Sequence, residues 1–542
     1  MLDDDVRRVE IYDTTLRDGS QLEGISLTVD DKLRIAEQLD WLGVDYIEAG
    51  WPGANPKDDE LFARAPRDLQ LTTSTLVAFG STRRPRGKVD SDDTLRNLLD
   101  ANTSTVCIVG KASEYHVLET LQTTLDEGAA MVADSVEFLT AEGRAVFYDA
   151  EHFFDGYRDS PEFSMRVLEG AAQAGATRLV LCDTNGGTLP DEVERIVAEV
   201  VAHFAADSHV GVAVHLHDDA GTGVANALAG VRGGAMQVQG TINGYGERTG
   251  NCNLTTIIPN LTLKMGIETI PRDRLERLTP VAHHVAELVN MALNPQAPYV
   301  GSSAFAHKAG LHTSAIARRP DAYEHVPPDS VGNGTRFVVS ELAGRSTLVL
   351  KAQELGLELD GAQVNELVDT LKRMEHEGYH FEVADASLEL LMRRVGGWQQ
   401  SWFDVESFRV ITDDDDPSSV AGGTPTSTMS TEATVKVHVG GERRIAVAEG
   451  NGPVNALDTA LRAALGDSRP ALDHVHLTDY KVRVLDTAKG TGAVTRVLVD
   501  STNGDRTWST IGVSENIIEA SWQALLDSLL YGLLLAETPE EN

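Results

Sequence analysis

The stretch VEIYDTTLRDGSQ, residues 9–21, joins a run of β-forming residues to a turn that contains Gly and Ser. Ile11 and Tyr12 predict a strand, and Arg17 and Asp18 follow where that strand ends. A doubly wound dinucleotide-binding sheet needs a Gly-rich phosphate turn after its first strand, and RDGSQ is not such a turn. The stretch therefore indicates a different β/α fold, with one cation and one carboxylate placed side by side.

The same order of strand, loop and helix recurs along the first half of the chain. Further β-rich runs lie at residues 44–50, 71–79, 104–110, 145–153, 177–185, 210–219 and 236–244. Helical patterns such as DDKLRIAEQLDWLG separate them, and this alternation is typical of parallel strands. Eight such units in about 250 residues predict a (β/α)8 TIM barrel over residues 1–282.

The remainder of the chain has a different organisation. Residues 283–412 are mainly helical in pattern and predict linker subdomains, and residues 413–430 are charged and rich in Gly, Ser, Thr and Pro, which predicts a flexible linker. Residues 431–542 contain a duplication, because NALDTALRAAL (455–465) aligns with NIIEASWQALL (516–526), each after strand-like runs. We expect an α+β domain that senses a ligand or dimerises; a purely structural appendage is the alternative.

Composition excludes several classes of protein. The 542 residues carry 46 Lys and Arg against 83 Asp and Glu, a net charge of −37, which argues against nucleic-acid and acidic-membrane partners. Cys107, Cys182 and Cys252 are odd in number and widely spaced, so we expect buried free thiols. No signal peptide is evident, and the run LLDSLLYGLLLA is short of the ~20 residues of a membrane span. A cytoplasmic location is expected.

Polar residues at three predicted strand ends suggest a metal site. Arg17 and Asp18 follow the first strand, His215 and His217 end the seventh, and Asn251 follows the eighth within GYGERTGN. Residues two apart on a strand point to the same face, and in a closed barrel these three strands are neighbours. A mixed nitrogen and oxygen set suits Mn²⁺, Mg²⁺, Co²⁺ or Zn²⁺ with open positions. Two buried, hydrogen-bonded histidines are the alternative, which the matching carboxylate and amide disfavour.

Other polar residues also fall at functional positions of a barrel. Glu48 lies in the second predicted strand, Glu151 follows the fifth and Thr184 follows the sixth, although any one of them could be an ordinary loop carboxylate or cap. Beyond the barrel, SSAFAHKAGLHTSAI contains His312, and Tyr323 follows it. This segment could be a lid that carries a base or a connector with surface side chains, and the pattern does not decide between them.

Four motifs together resemble a known enzyme family. YDTTLRDGSQ, VHLHDD, GERTGN and GLHTSAI are similar to the metal-dependent Claisen-condensing family of 2-isopropylmalate, homocitrate and citramalate synthases. The resemblance extends over nearly the whole chain and includes the duplicated domain, which resembles the branched-chain amino-acid effector domain of that family. RDGSQLEGIS, GWPGANPKD and FYDAEHFFDGY are most similar to its long-form (R)-citramalate synthase branch.

The resemblance implies a reaction, a cofactor and partners. It implies that acetyl-CoA condenses with pyruvate and water to give citramalate and CoA, with a divalent metal, in a homodimer that binds isoleucine as effector. The alternatives within the family are a 2-isopropylmalate or homocitrate synthase acting on a larger oxo acid. A lyase would not need the effector domain, and a non-catalytic metal-binding sensor would not need Arg17 or His312.

The resemblance also assigns roles to individual residues. The implied metal ligands are Asp18, His215, His217 and Asn251, the implied catalytic residues are Arg17, Glu151, His312 and Tyr323, and the implied substrate contacts are Gln21, Glu48 and Thr184. Arg17 would stabilise negative charge that develops on an oxygen atom. His312, assisted by Tyr323, would remove a proton from acetyl-CoA, whose thioester α-protons are weakly acidic.

Overall fold

A computed structural model describes the protein in two compact units. The described residues are 7–307, 315–316, 319–337, 345–400, 402–414, 429–485 and 487–537. One unit comprises Met1–Phe305 with Glu324–Thr335, and the other comprises Ala306–Tyr323 with Arg336–Asn542.

The first unit is a closed barrel of eight parallel strands, which confirms the predicted fold class. The strands are β1 (Glu10–Asp13), β2 (Tyr46–Gly50), β3 (Thr75–Ser81), β4 (Thr105–Lys111), β5 (Ala145–Glu151), β6 (Arg178–Asp183), β7 (Gly211–Leu216) and β8 (Gln237–Gly240). Pairing of Glu10 with Gln237 closes the barrel between β1 and β8. Closure makes β7, β8 and β1 consecutive neighbours.

Helices cover the outside of the barrel. They are α1 (Val29–Leu42), α2 (Pro56–Asp68), α3 (Asp93–Asp100), α4 (Leu125–Ala141), α5 (Phe153–Asp159), α6 (Pro161–Gln173), α7 (Pro190–His203), α8 (Gly223–Gly233), α9 (Leu254–Pro259) and α10 (Leu278–Leu288). Local sequence sets their ends: Thr28 and Asp31 form a capping box at the start of α1, and Gly43 ends it in the left-handed conformation.

The barrel interior is packed with side chains rather than hollow. Tyr12, Val77, Phe79 and Phe147 form a buried aromatic and aliphatic cluster contributed by β1, β3 and β5. The rings of Tyr12 and Phe147 are 6.0 Å apart and tilted. Polar side chains at the carboxyl ends of the strands therefore lie above an apolar floor.

The second unit contains short strands, helices and two antiparallel sheets. The elements are β9 (Ala306–His307), β10 (Arg336–Phe337), α11 (Arg345–Glu354), α12 (Gly361–Glu377), α13 (Asp385–Val395), β11 (Asp404–Asp414), β12 (Met429–Val439), β13 (Glu442–Gly450), α14 (Pro453–Leu465), β14 (His476–Val484), β15 (Thr495–Thr502), β16 (Thr507–Ser514) and α15 (Ile517–Glu537). The predicted repeat falls on α14 and α15, and each helix follows a three-stranded sheet.

The structure differs from the predicted division at residues 413–430. Strand β11 pairs with β12, from Asp404 opposite His438 to Asp414 opposite Met429. The predicted linker therefore connects two paired strands of one sheet, and the segment 283–412 is not helical to its end. The sequence DVESFRVITDD conceals this strand because it carries charged residues on its exposed side.

Helices α12 and α13 belong to the core of the C-terminal sheets. Leu371 and Met392 are buried in one cluster with Ile511 of β16, and Leu498 of β15 packs against it. Cutting the chain near residue 416 would remove β12 from β11 and uncover these helices. A truncation there would therefore expose apolar surface.

Cys107, Cys182 and Cys252 are buried free cysteines, as predicted. Among the helices of the described part of the chain, none is long and apolar enough to cross a bilayer.

Candidate active site

Asp18, His215 and His217 converge at the carboxyl end of the barrel strands. One potential ligand atom from each lies within 4.8 Å of the others. His215 Nε2 is 3.2 Å from Asp18 Oδ2 and 3.3 Å from His217 Nε2. The three side chains are almost fully buried. The closed barrel brings them together because β7 and β1 lie on either side of β8.

Asn251 completes this group of polar residues. Its backbone forms a bridge with His217, and its Nδ2 donates to Asp18 Oδ2 at 2.7 Å. Its Oδ1 is buried and has no hydrogen-bond partner among the residues that the structure describes. A Cβ at Gly246 would lie 2.0 Å from that Oδ1, so the tight turn that presents Asn251 requires glycine there. Two imidazoles and a carboxylate fit a divalent metal ion, and Asn251 would add its amide oxygen if its side-chain amide turned, because it is Nδ2 that faces Asp18 and His215 here.

Charge within this cluster favours a cation. Burial would raise the pKa of Asp18, but Arg17 and His215 outweigh burial and hold its pKa well below the usual range. Burial, together with His215, lowers the pKa of His217 to about 4. Burial opposes a positive charge on His215, yet its hydrogen bond to Asp18 and the charge of Asp18 raise its pKa. The carboxylate of Asp18 therefore stays ionised beside His215, which suits a cation at this position.

Arg17 is held beside the cluster by three contacts. Its Nε donates to Glu48 Oε1 at 2.6 Å, its Nη1 is 3.3 Å from Asp18 Oδ1, and its guanidinium lies 3.8 Å above the ring of Phe79. Tyr12 donates its hydroxyl to Glu48 Oε2 at 2.6 Å. Glu48 has no exposed surface, and both of its oxygens accept hydrogen bonds. It therefore anchors Arg17 and, contrary to the prediction, is not placed to contact substrate.

Glu151 and Thr184 lie at the expected strand ends, at or just past β5 and β6. Thr184 Oγ1 accepts a hydrogen bond from the backbone N–H of His152 at 2.9 Å, which ties the two loops together. His152 has a φ of 58°, an uncommon conformation for this residue type. Glu151 is paired with Lys111 and remains partly exposed at the barrel mouth. Their contacts with substrate stay predictions.

The three remaining predicted site residues are Gln21, Tyr323 and His312. Gln21 is exposed and lines, with Arg17, a cavity of about 520 Å³ at the barrel mouth. Tyr323 is 46% exposed and belongs to the second unit. His312 lies outside the described residues, so its role stays a prediction.

Two residues that contact the histidines were not predicted. Gln239 Oε1 is 2.9 Å from His215 Nδ1, and Arg248 Nη2 is 3.2 Å from His217 Nδ1. Arg248 is also paired with Asp219 at 2.7 Å. A signal for Gln239 exists in the run MQVQG, where amides alternate with apolar residues on a strand of a parallel barrel, whose strands are usually continuous apolar runs.

Three family models match consecutive parts of the chain. The HMGL-like model matches residues 8–284, the homocitrate synthase post-HMGL domain-like model matches residues 299–379, and the LeuA allosteric (dimerisation) domain matches residues 382–533. The first match spans the barrel, and the third includes both C-terminal sheets together with α13.

Curated relatives match over nearly the full length of the chain. The (R)-citramalate synthase of Aquifex aeolicus is 50% identical over 532 residues, covering 98% of each chain. That of Streptomyces coelicolor is 50% identical over 529 residues, covering 97% of each. The 2-isopropylmalate synthase of Pyrococcus furiosus is 32% identical over 526 residues, covering 96% of this chain and 99% of that one. Similarity is thus greater to the two citramalate synthases.

Proposed function

The chain belongs to the (R)-citramalate synthase family, and from that premise we propose that it condenses acetyl-CoA with pyruvate and water to give (R)-citramalate and CoA. The observation that carries the proposal is 50% identity that covers 98% of both chains. The cluster of Asp18, His215 and His217 beside Arg17 supports it. The ketone of the oxo acid becomes an alkoxide and acetyl-CoA becomes an enolate, and a nearby cation stabilises the negative charge of both.

The reaction requires one carbon–carbon bond to form and one thioester to break. A base removes a proton from the acetyl methyl group, and we assign this role to His312 with Tyr323 assisting. The resulting carbanion attacks the ketone carbon of pyruvate, and the electron pair of the C=O bond moves to oxygen, which takes up a proton. Water then attacks the thioester carbonyl and CoA leaves as the thiol.

The residues at the barrel mouth have separate roles in this proposal. The proposed ligands of a divalent ion, which when bound polarises the ketone as a Lewis acid, are Asp18, His215, His217 and Asn251. Arg17 stabilises the negative oxygen, and its contacts with Glu48 and Phe79 fix its orientation before substrate binds. Glu151 and Thr184 contact the oxo acid, and Gln21 lies close to the site of condensation.

A thiol-release assay with acetyl-CoA and different oxo acids tests the function. We expect kcat/KM for pyruvate to exceed that for 2-oxoisovalerate and 2-oxoglutarate by about 10²-fold, since a pocket shaped for a methyl group rejects larger side chains. Highest activity with 2-oxoisovalerate would instead indicate an isopropylmalate synthase. Release of no thiol with any oxo acid, at full metal loading, would leave a metal-binding sensor as the function.

We propose that the C-terminal sheets bind a branched-chain amino acid, with isoleucine as the effector. A cavity of about 270 Å³ lies among α14, β14 and α15, at the small end of ligand sites. Its lining includes the charged pair Asp458 and Arg462, 2.9 Å apart, and the apolar residues Val475, Leu525 and Leu529. An amino acid has the matching chemistry, with its ammonium toward Asp458, its carboxylate toward Arg462 and a branched side chain among the apolar residues.

Among the branched-chain amino acids, isoleucine is the expected effector. In the pathway that this family serves, citramalate leads to 2-oxobutyrate and then to isoleucine, so inhibition by the end product is expected. The effector can inhibit only by binding one conformational state more tightly than another. Acetyl-CoA or pyruvate should then weaken isoleucine binding by the same factor.

Substitution within the cavity tests the effector site. Asp458→Asn keeps the shape of the side chain but removes its charge, and we expect isoleucine affinity measured by calorimetry to fall about 10- to 10²-fold, the value of one charge-assisted hydrogen bond. Arg444→Met is the matched control, because Arg444 donates to the last carbonyls of α14 outside the cavity. Absence of any binding heat with isoleucine, leucine or valine in the unmodified protein would contradict the proposal.

We propose that the protein is a homodimer. The edge strand β14 exposes Leu477 by 44%, Val482 by 43% and Val484 by 47%. An apolar row on an edge strand favours association with another chain. The match to a domain described as a dimerisation domain supports a second copy as that chain.

A further inference from the structure

Gln239 is a fully buried amide directly beside one of the candidate metal ligands. It lies in β8, whose register with β7 places Gln239 opposite His215. The Gln239 side chain has no exposed surface. A buried amide is costly unless its donors and acceptor are satisfied, so its partners indicate what it does.

The hydrogen bond between Gln239 and His215 decides which ring nitrogen of His215 carries the proton. Gln239 Oε1 lies 2.9 Å from His215 Nδ1, and a carbonyl oxygen can only accept, so Nδ1 must donate. In a neutral imidazole the other nitrogen, Nε2, then has the free lone pair. That Nε2 faces Asp18 Oδ2 at 3.2 Å and His217 Nε2 at 3.3 Å, inside the candidate metal site.

Asp149 determines which way the amide of Gln239 points. Gln239 Nε2 is 3.4 Å from Asp149 Oδ1, which also accepts from the thiol of Cys107 at 3.1 Å. The reverse orientation would place the amide oxygen against the carboxylate and the NH₂ group against His215. Asp149 is itself only 3% exposed, so the row His215, Gln239, Asp149 is shielded from water.

The second histidine is supported differently. His217 Nδ1 faces the guanidinium of Arg248, which is a donor and not an acceptor. Of the two histidines, His215 is therefore the one whose Nδ1 contact favours ligation through Nε2.

We propose that Gln239, oriented by Asp149, is a positioning residue that holds His215 in the tautomer and ring orientation required to bind the metal through Nε2. This inference rests on the proposed metal-dependent function and adds to it a residue outside the ligand set. Partners of this kind typically contribute 10- to 100-fold to metal affinity.

Metal affinity of the metal-free full-length chain, titrated with Mn²⁺ and followed by electron paramagnetic resonance, tests the proposal. Gln239→Leu has a similar size but no acceptor, and we expect its Kd for Mn²⁺ to rise about 10- to 100-fold. Gln239→Glu retains an acceptor at the same reach but places its second oxygen against Asp149, so it is combined with Asp149→Asn, which can donate to it. This double variant should bind Mn²⁺ much more tightly than Gln239→Leu does.

Gln237→Leu is the matched control. Gln237 lies two residues earlier on the same face of β8, is equally buried, and donates to Glu10 at 2.9 Å near the opposite end of the barrel. Its loss should lower the free energy of unfolding and leave the Mn²⁺ Kd unchanged. A fall in affinity in both leucine variants would show that any polar loss in β8 weakens the site, and would overturn the specific role of Gln239.

A spectroscopic measurement decides the case even if Gln239→Leu does not fold. In the unmodified, metal-free protein, ¹⁵N spectra recorded at a pH where His215 carries a single ring proton should show that proton on Nδ1. Protonation at Nε2 would overturn the inference. Unchanged Mn²⁺ affinity in folded Gln239→Leu would overturn it while leaving the metal site intact, whereas an unmodified protein that binds no Mn²⁺ would overturn the metal site and this inference together.

Discussion

Replacing Arg17 with lysine is expected to lower kcat by roughly 10²-fold or more while changing KM much less, since donors to charge that develops in the transition state have effects of this size. Lysine has a positive charge but lacks the planar fork, so it cannot contact Glu48 and Asp18 together or lie flat above Phe79. Steady-state rates with acetyl-CoA and pyruvate measure the effect.

Arg178→Lys is the control for this change. Arg178 is also largely buried, forms two hydrogen bonds to Glu10 at 2.7 and 3.0 Å, and lies near the ring of Phe147, but it is at the amino end of the strands. The Arg178→Lys variant should have a lower free energy of unfolding and an unchanged kcat. If Arg17→Lys keeps the kcat of the unmodified enzyme, Arg17 is only a structural partner of Glu48.

His217→Ala is expected to weaken Mn²⁺ binding by more than about 10²-fold, because losing a ligand costs more than the 10- to 100-fold typical of its supporting partners. Activity at limiting metal should fall in parallel. His217 lies just past β7, and the polar space that alanine leaves beside Asp18 and His215 can hold water, so the barrel should stay folded. Metal titration and thermal unfolding separate binding from stability.

Chelation tests whether activity requires the metal, and His203→Ala is the control for His217→Ala. Excess chelator should abolish activity in the unmodified protein, and Mn²⁺ or Mg²⁺ should restore it. His203→Ala should change neither metal affinity nor rate, because His203 is on the outer helix α7, where it pairs with Glu169. Full activity in excess chelator, with no metal detected in the protein, would remove the metal site from the mechanism.

The barrel and most of its polar mouth follow from sequence because they depend on local pattern and strand order. Alternating strands and helices imply parallel pairing, and eight units imply closure. Closure in turn predicts that Asp18, His215, His217 and Asn251 meet, since each is placed by its distance from a strand end. The duplication was detectable for the same reason, as two helices of similar sequence each follow strands.

Sequence alone did not determine which residues support that site or where the C-terminal sheets begin. The roles of Gln239 and Glu48 depend on contacts between residues from different strands, which side-chain type does not reveal. Strand β11 is stabilised by pairing with β12, and its charged exposed side hides the pattern of a strand. Local periodicity therefore predicted the elements of the barrel and the grouping of Asp18, His215, His217 and Asn251, whereas only tertiary packing decided which buried polar group faces which, because hydrogen-bond partners are set by three-dimensional proximity.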